Sequence, residues 1–229
     1  LFKMKTILIT IATLVSATLF AQTNYDQEMI QAFDSWKKGN KAASEEFQKV
    51  EKNHQSEWLP KYYMAFTQTL QAFEPGDNLD NQNLIDQAKV IINQLEKMQP
   101  NNAEILNLKA LNLTAEIVLN PMVNGMILMD DVNSTYAKAI LLNPTNPRSI
   151  LGKAEFNIQA AEFVGGDITN DCKAVKKALA LLMKLGLIFS FVLAMVGDYS
   201  AKYLAEYQRE KLAAAEWLCE TEKGGDLIL

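Results

Sequence analysis

The side chains best suited to metal or nucleophilic chemistry are scarce in this sequence. Its 229 residues contain a single histidine, His54, and two cysteines, Cys172 and Cys219. A structural zinc site needs four such ligands close together, and these three residues are far apart in the sequence. His54 lies in a polar stretch where we expect a turn and a surface position. The cysteines either form a disulfide or remain two separately buried thiols, and the sequence leaves both alternatives open.

Carboxylates are more abundant, but their spacing does not predict an acid–base pair. Glu45–Glu46 and Asp130–Asp131 are adjacent, and neighbouring residues of a helix point in different directions. The stretch 77–86, DNLDNQNLID, resembles a calcium loop but lacks the central glycine and the closing glutamate. Neither a glycine-flanked serine nor a phosphate-binding glycine loop is present. We therefore predict a protein that is not an enzyme, with no catalytic residue, no cofactor-binding residue and no metal ligand.

The charge balance indicates which partners to expect, and the amino terminus indicates the cellular location. Lysine and arginine total 22 against 27 acidic residues, without a dense basic block, which argues against a nucleic-acid partner. Lys3 and Lys5 precede an apolar run, residues 7–20, and this pattern predicts a secretory signal peptide over residues 1–21. An uncleaved anchor is the alternative. The expected location is a bacterial periplasm or the cell exterior.

Apolar residues recur at helical intervals from about residue 26 to residue 182, and no long stretch alternates with period two. This spacing predicts an all-α fold. The first helix should end near Gly39, a residue that tolerates a left-handed turn. A fourth helix should begin at Asn83, with Asp86 completing its cap, and run to about Met98.

Two prolines, Pro100 and Pro144, each close one apolar helix and precede another. Small residues recur in the helices that follow, at Ala110 and Ala154, where they would let two helices approach closely. The residues that share this repeating register are Gly39, Ala43, Phe47, Ala65, Ala88, Ile92, Leu95, Pro100, Ala110, Tyr136, Ala139, Pro144, Ala154, Ala174 and Ala178. At these residues the chain resembles the tetratricopeptide repeat (TPR) family. The step between the prolines is 144 minus 100, or 44 residues, against about 34 in that family, and we place the excess in residues 118–133.

The resemblance implies a right-handed α-solenoid of about four TPR-like helix pairs over residues 22–182, closed by a C-terminal capping helix. In that family the first helix of each pair lines a concave groove. The groove residues implied here are Asn107, Leu111, Thr114, Leu151, Glu155 and Ile158. The implied function is a noncatalytic scaffold that binds another protein or a peptide, without a cofactor.

The chain changes character after Asp171, where residues 178–196 become almost wholly apolar. This segment is a membrane span, a helix buried beneath the terminal one, or part of a tail outside its natural reading frame. Lys184 and the lysines before the segment argue against the span. A last amphipathic helix, residues 199–218, would cap the solenoid within a region formed by residues 183–229. The alternative functions are a membrane-anchored accessory factor that uses 178–196, and a helical enzyme.

Overall fold

The computed structural model describes residues 24–196 and Cys219, without the side chains of Met183 and of residues 185–196. All regular secondary structure among these described residues is helical, and they contain no strand. The all-α prediction is therefore confirmed. The predicted signal peptide, residues 1–21, and the predicted capping helix, residues 199–218, lie outside the described residues.

Eight α-helices follow one another along the described chain. Helix α1 covers residues 24–35 and continues into a short 3₁₀ turn, Trp36–Lys38. The remaining helices are α2 (Asn40–Asn53), α3 (Trp58–Gln71), α4 (Asn78–Met98), α5 (Ala103–Leu119), α6 (Pro121–Leu142), α7 (Pro147–Val164) and α8 (Thr169–Val196).

The helix boundaries follow from local capping chemistry. Gly39 separates the first two helices with a φ of 110°, a conformation open to glycine and strained for other residues. Asn102 and Asn146 start α5 and α7, where each side-chain oxygen accepts a hydrogen bond of 2.9 Å from the backbone amide two residues on. The breaks predicted around the two prolines are thus built by equivalent asparagine caps.

The start of α4 differs from the prediction. The cap is Asp77, whose Oδ1 accepts a 2.8 Å hydrogen bond from the amide of Leu79, and the helix begins at Asn78 instead of Asn83. Several residues between 77 and 86 can cap a helix, and the first of them does so here. Residues 118–133 also form no loop, because α5 ends at Leu119 and α6 begins at Pro121.

Each helix from α2 onward packs against the next, and α3 also contacts α5, which contacts α7. The small residues expected at close helix contacts, Ala110 and Ala154, are fully buried. This packing stacks successive helices around a series of apolar clusters. It does not confirm the finer prediction, a right-handed solenoid of the TPR type.

The contact between α6 and α7 depends on the absence of a side chain at Gly152. A Cβ there would lie 2.7 Å from Cε1 of Tyr136 and 2.9 Å from its Cζ and Oη. We expect Gly152→Ala to lower the free energy of unfolding by up to about 2 kcal/mol, because overpacking costs about 1–3 kcal/mol and the helical advantage of alanine offsets about 1 kcal/mol of it. Urea unfolding followed by circular dichroism measures the change.

Gly125 in α6 provides the matched control. It is buried, but a Cβ there would meet only Ile117 Cγ2, at an ordinary 3.9 Å. We expect Gly125→Ala to raise the free energy of unfolding by up to about 1 kcal/mol. A loss of stability in the Gly125 variant equal to that in the Gly152 variant would contradict the packing argument.

Candidate functional site

The six residues predicted for a groove lie on α5 and α7, which are in contact. Leu151 and Ile158 are buried, and they pack in one cluster with Cys172 and Val175 of α8. Asn107 is also buried, with 9% of its surface exposed. The half-buried members of the set are Leu111, Thr114 and Glu155. A ligand-binding role for these residues stays a prediction, and these last three are the ones that reach solvent.

A polar network connects the beginnings of α5 and α7 with α3. Nη1 of Arg148 lies 2.9 Å from Oε2 of Glu104, and Nδ2 of Asn146 donates to Oε1 of the same carboxylate at 2.7 Å. Arg148 also hydrogen-bonds to the buried phenol of Tyr62. Burial raises the pKa of Tyr62, and the positive charge of Arg148 opposes this shift. The network therefore joins three successive helix pairs.

The sequence interpretation missed this network, although a signal for it was present. Arg148 lies 148 minus 104, or 44 residues, after Glu104, which is the same step that separates Pro100 from Pro144. Equivalent positions in consecutive helix pairs therefore carry opposite charges. Asn107 lies one helical turn after Glu104, and neither its amide oxygen nor its amide nitrogen has a hydrogen-bond partner.

The single histidine is not at the exposed position expected from its polar neighbours. The side chain of His54 is 18% exposed, its Nε2 lies 3.2 Å from Oε2 of Glu28, and its ring meets the edge of Tyr25. Nδ2 of Asn53 donates to the same glutamate oxygen at 3.1 Å. His54 therefore connects the end of α2 to α1.

The two cysteines form a disulfide, with their Cα atoms 5.7 Å apart. This resolves the alternative left open by the sequence. Both cysteines are buried in the cluster formed by α7 and α8. The disulfide thus attaches the chain around Cys219 to the first turns of α8.

A cavity of about 260 Å³ opens beside the disulfide. Its lining comprises Gly166, Asp167, Ile168, Thr169, Cys172, Lys173, Lys176 and Cys219. The carboxylate of Asp167 caps α8 by accepting a 2.8 Å hydrogen bond from the amide of Thr169, and hydrogen bonds from the Thr169 side chain and backbone lower the pKa of Asp167. The cavity is smaller than the range typical of organic ligand sites, about 300–1,000 Å³.

Two absences among the described residues bear on the class of site. Among the described residues, no three histidine, cysteine, aspartate or glutamate side chains come together where they could hold a metal ion. Among the residues whose side chains the structure describes, a set without Met183 and residues 185–196 of α8, no helix is long and apolar enough to cross a membrane.

Comparisons with known proteins match the C-terminal third of the chain to an oxidase subunit. The family model of cytochrome bd terminal oxidase subunit I matches residues 154–229, about a third of the chain. A putative cytochrome bd menaquinol oxidase subunit I from Bacillus subtilis (strain 168) is 48% identical over 54 residues, which cover 24% of this chain and 12% of that protein. The chain therefore spans a small part of the oxidase subunit that it matches.

A likeness in fold over most of the chain points to a different kind of protein. The HusA haemophore from Porphyromonas gingivalis superimposes with a TM-score of 0.66, covering 90% of this chain and 94% of the haemophore. The two sequences are 20% identical. At this level of sequence identity the likeness bears on the fold alone.

These matches correct several predictions. The resemblance to the tetratricopeptide repeat family is wrong, because the family match is to cytochrome bd oxidase subunit I. The same match contradicts the noncatalytic protein- or peptide-binding scaffold, and it contradicts the prediction that the protein is not an enzyme. An exported, periplasmic or secreted location is contradicted as well, since oxidases of this family are integral to the membrane.

The tail interpretation changes too. The oxidase match runs from residue 154 to Leu229 in the sequence as it stands, which argues against a tail outside its natural reading frame. Physically, the helical spacing that suggested a repeat family reflects amphipathic helices in general, and many folds share it.

Proposed function

We propose that this chain is a membrane-associated component of a quinol oxidase of the cytochrome bd type. The observation that carries the proposal is the 48% identity to the oxidase subunit over 54 residues. The apolar segment 178–196 lies inside the matched region and would provide the membrane attachment. Because the disulfide joins Cys172, before this segment, to Cys219, after it, the chain would enter and leave the membrane on the same side. Because the match begins at Ala154, within α7, residues 24–153 would form an added helical domain.

The packing of α7 and α8 supports a firm connection between these two parts. Ile150 and Leu151, which precede the matched region, share one buried cluster with Ala154, Ile158 and Val175 inside it. Cys219 belongs to the same cluster through its disulfide. The added domain would therefore move together with the beginning of the oxidase-like segment.

The name of the matched family implies haem, which needs an iron ligand from the protein. Histidine is a common ligand of haem iron, and the segment 154–229 contains none. The one histidine of the chain, His54, is held by Glu28 and packed on Tyr25. The chain by itself does not fit a histidine-ligated haem, and the proposed role is that of an accessory component of the oxidase.

Carbonate washing of membranes from a bacterial host that expresses the full chain tests the membrane attachment. The chain should stay in the pellet, and a Leu187→Arg/Leu193→Arg variant should move to the supernatant, because a charge within an apolar span costs about 2.5–3.5 kcal/mol. Leu141→Arg is the matched control, since Leu141 on α6 is 80% exposed. Release of the unaltered chain by carbonate would refute the attachment.

A second candidate function, haem capture by the helical domain, is favoured by the likeness to a haemophore over 90% of the chain. Without a free histidine, the ring would be held by apolar and polar contacts on the face of α5 and α7 that carries Leu111, Thr114 and Glu155. Titration with haemin, followed by absorbance, tests this. Leu111→Asp should weaken binding by about tenfold, and Leu141→Asp should leave it unchanged. Equal binding by both variants would count against this face.

A further inference from the structure

Helix α6 carries three methionines on one face. Met122, Met126 and Met129 are spaced four and three residues apart, so their directions fall within about 60° around the helix axis. Met122 is 77% exposed and Met126 is 88% exposed, the highest value for a large apolar side chain among the described residues. Met129 is half-buried and packs at the edge of the cluster that contains Val132. The oxidase match begins beyond this helix.

The backbone that carries these methionines is fixed. Pro121 starts α6 directly after the end of α5, and Asn124 Nδ2 donates a 2.5 Å hydrogen bond to the carbonyl of Glu116. Gly125 is buried against α5, near Ile117. The first turns of α6 are therefore held against α5, and the flexible methionine side chains project from a rigid support.

The chemistry of the thioether group indicates what this face would bind. Thioethers are soft, polarizable ligands that select Cu(I) over hard cations. The two cysteines of the chain are joined in a disulfide, so no free thiolate competes for a soft metal. His54 is engaged with Glu28. Methionine is thus the soft ligand that the chain leaves available.

The charge around the face favours a cation. Asp130 follows Met129 directly and lies at the side of the methionine face, and no lysine or arginine occurs between Lys109 and Lys138. We propose that Met122, Met126 and Met129 form a Cu(I)-binding site.

Anaerobic titration of the purified full chain with Cu(I), supplied as its acetonitrile complex in competition with bicinchoninate, tests the site. The chain should take one Cu(I) from the chelator, and Met122→Leu/Met126→Leu should bind at least about tenfold more weakly, because it retains one thioether of three. Leucine conserves the volume, so the circular dichroism spectrum should not change. Met98→Leu, at a partly exposed methionine on α4, is the matched control and should bind like the unaltered chain.

Two further measurements identify the atoms that bind the copper. A thiol assay on the loaded protein should find no free thiol, which excludes thiolates from a reduced disulfide as ligands. X-ray absorption of the bound copper should show a shell of sulfur atoms. The proposal is overturned if the unaltered chain takes no Cu(I) from the chelator, if the double variant binds equally well, or if the shell consists of nitrogen and oxygen.

Discussion

Replacing Phe47 with alanine is expected to lower the free energy of unfolding by about 3–5 kcal/mol. Phe47 is fully buried at the centre of the cluster between α1, α2 and α3. Its ring stacks on Tyr63 at 5.2 Å and meets the edge of Phe33 at 5.1 Å. Truncation removes these contacts and leaves a cavity that rigid helices cannot close. Urea unfolding of the full chain measures the loss.

Phe73 is the matched control for this prediction, because it lies just after α3 and is 37% exposed. Phe73→Ala should cost less than about 1 kcal/mol, since water already reaches its ring. If the two alanine variants lost equal stability, the cluster around Phe47 would not be the centre of packing at this end of the chain.

Replacing both cysteines with serine, Cys172→Ser/Cys219→Ser, is expected to lower the free energy of unfolding by about 4 kcal/mol. The bond closes a loop with a sequence separation of 47 residues, and opening it frees the unfolded chain. Both positions also belong to the cluster of α7 and α8, so serine adds a polar group to an apolar core. Unfolding by guanidinium, with and without a dithiol, measures the effect.

The dithiol provides the control in this case. The unaltered chain should lose most of that stability on reduction, whereas the serine variant should be insensitive to the dithiol. Limited proteolysis should then cut the reduced chain beyond α8 before it cuts α2 or α3. A reduced chain as stable as the oxidised one would show that the disulfide does not restrain the tail.

The helices were predictable from the sequence because their signals are local. Apolar spacing and the proline breaks define α5 and α7, and Asn102 and Asn146 cap them through contacts two residues away. The start of α4 was mispredicted because several residues between 77 and 86 can cap a helix, and local chemistry alone does not select Asp77 among them.

The candidate sites depended on contacts that a single sequence does not record. Glu104 and Arg148 meet because consecutive helix pairs stack, and the disulfide of Cys172 and Cys219 requires the tail to return to α8. The function was mispredicted because a helical repeat pattern constrains packing and says little about chemistry. The oxidase-like segment was found through residue identity, which apolar spacing does not contain.

Co-purification with oxidase activity tests the central claim most directly. If the proposed association with a quinol oxidase is correct, the full chain, tagged and extracted from native membranes in detergent, should elute together with quinol-dependent oxygen consumption. The Leu187→Arg/Leu193→Arg variant should elute without that activity, and Leu141→Arg should retain it. A full chain that elutes from membranes free of any such activity would contradict the account.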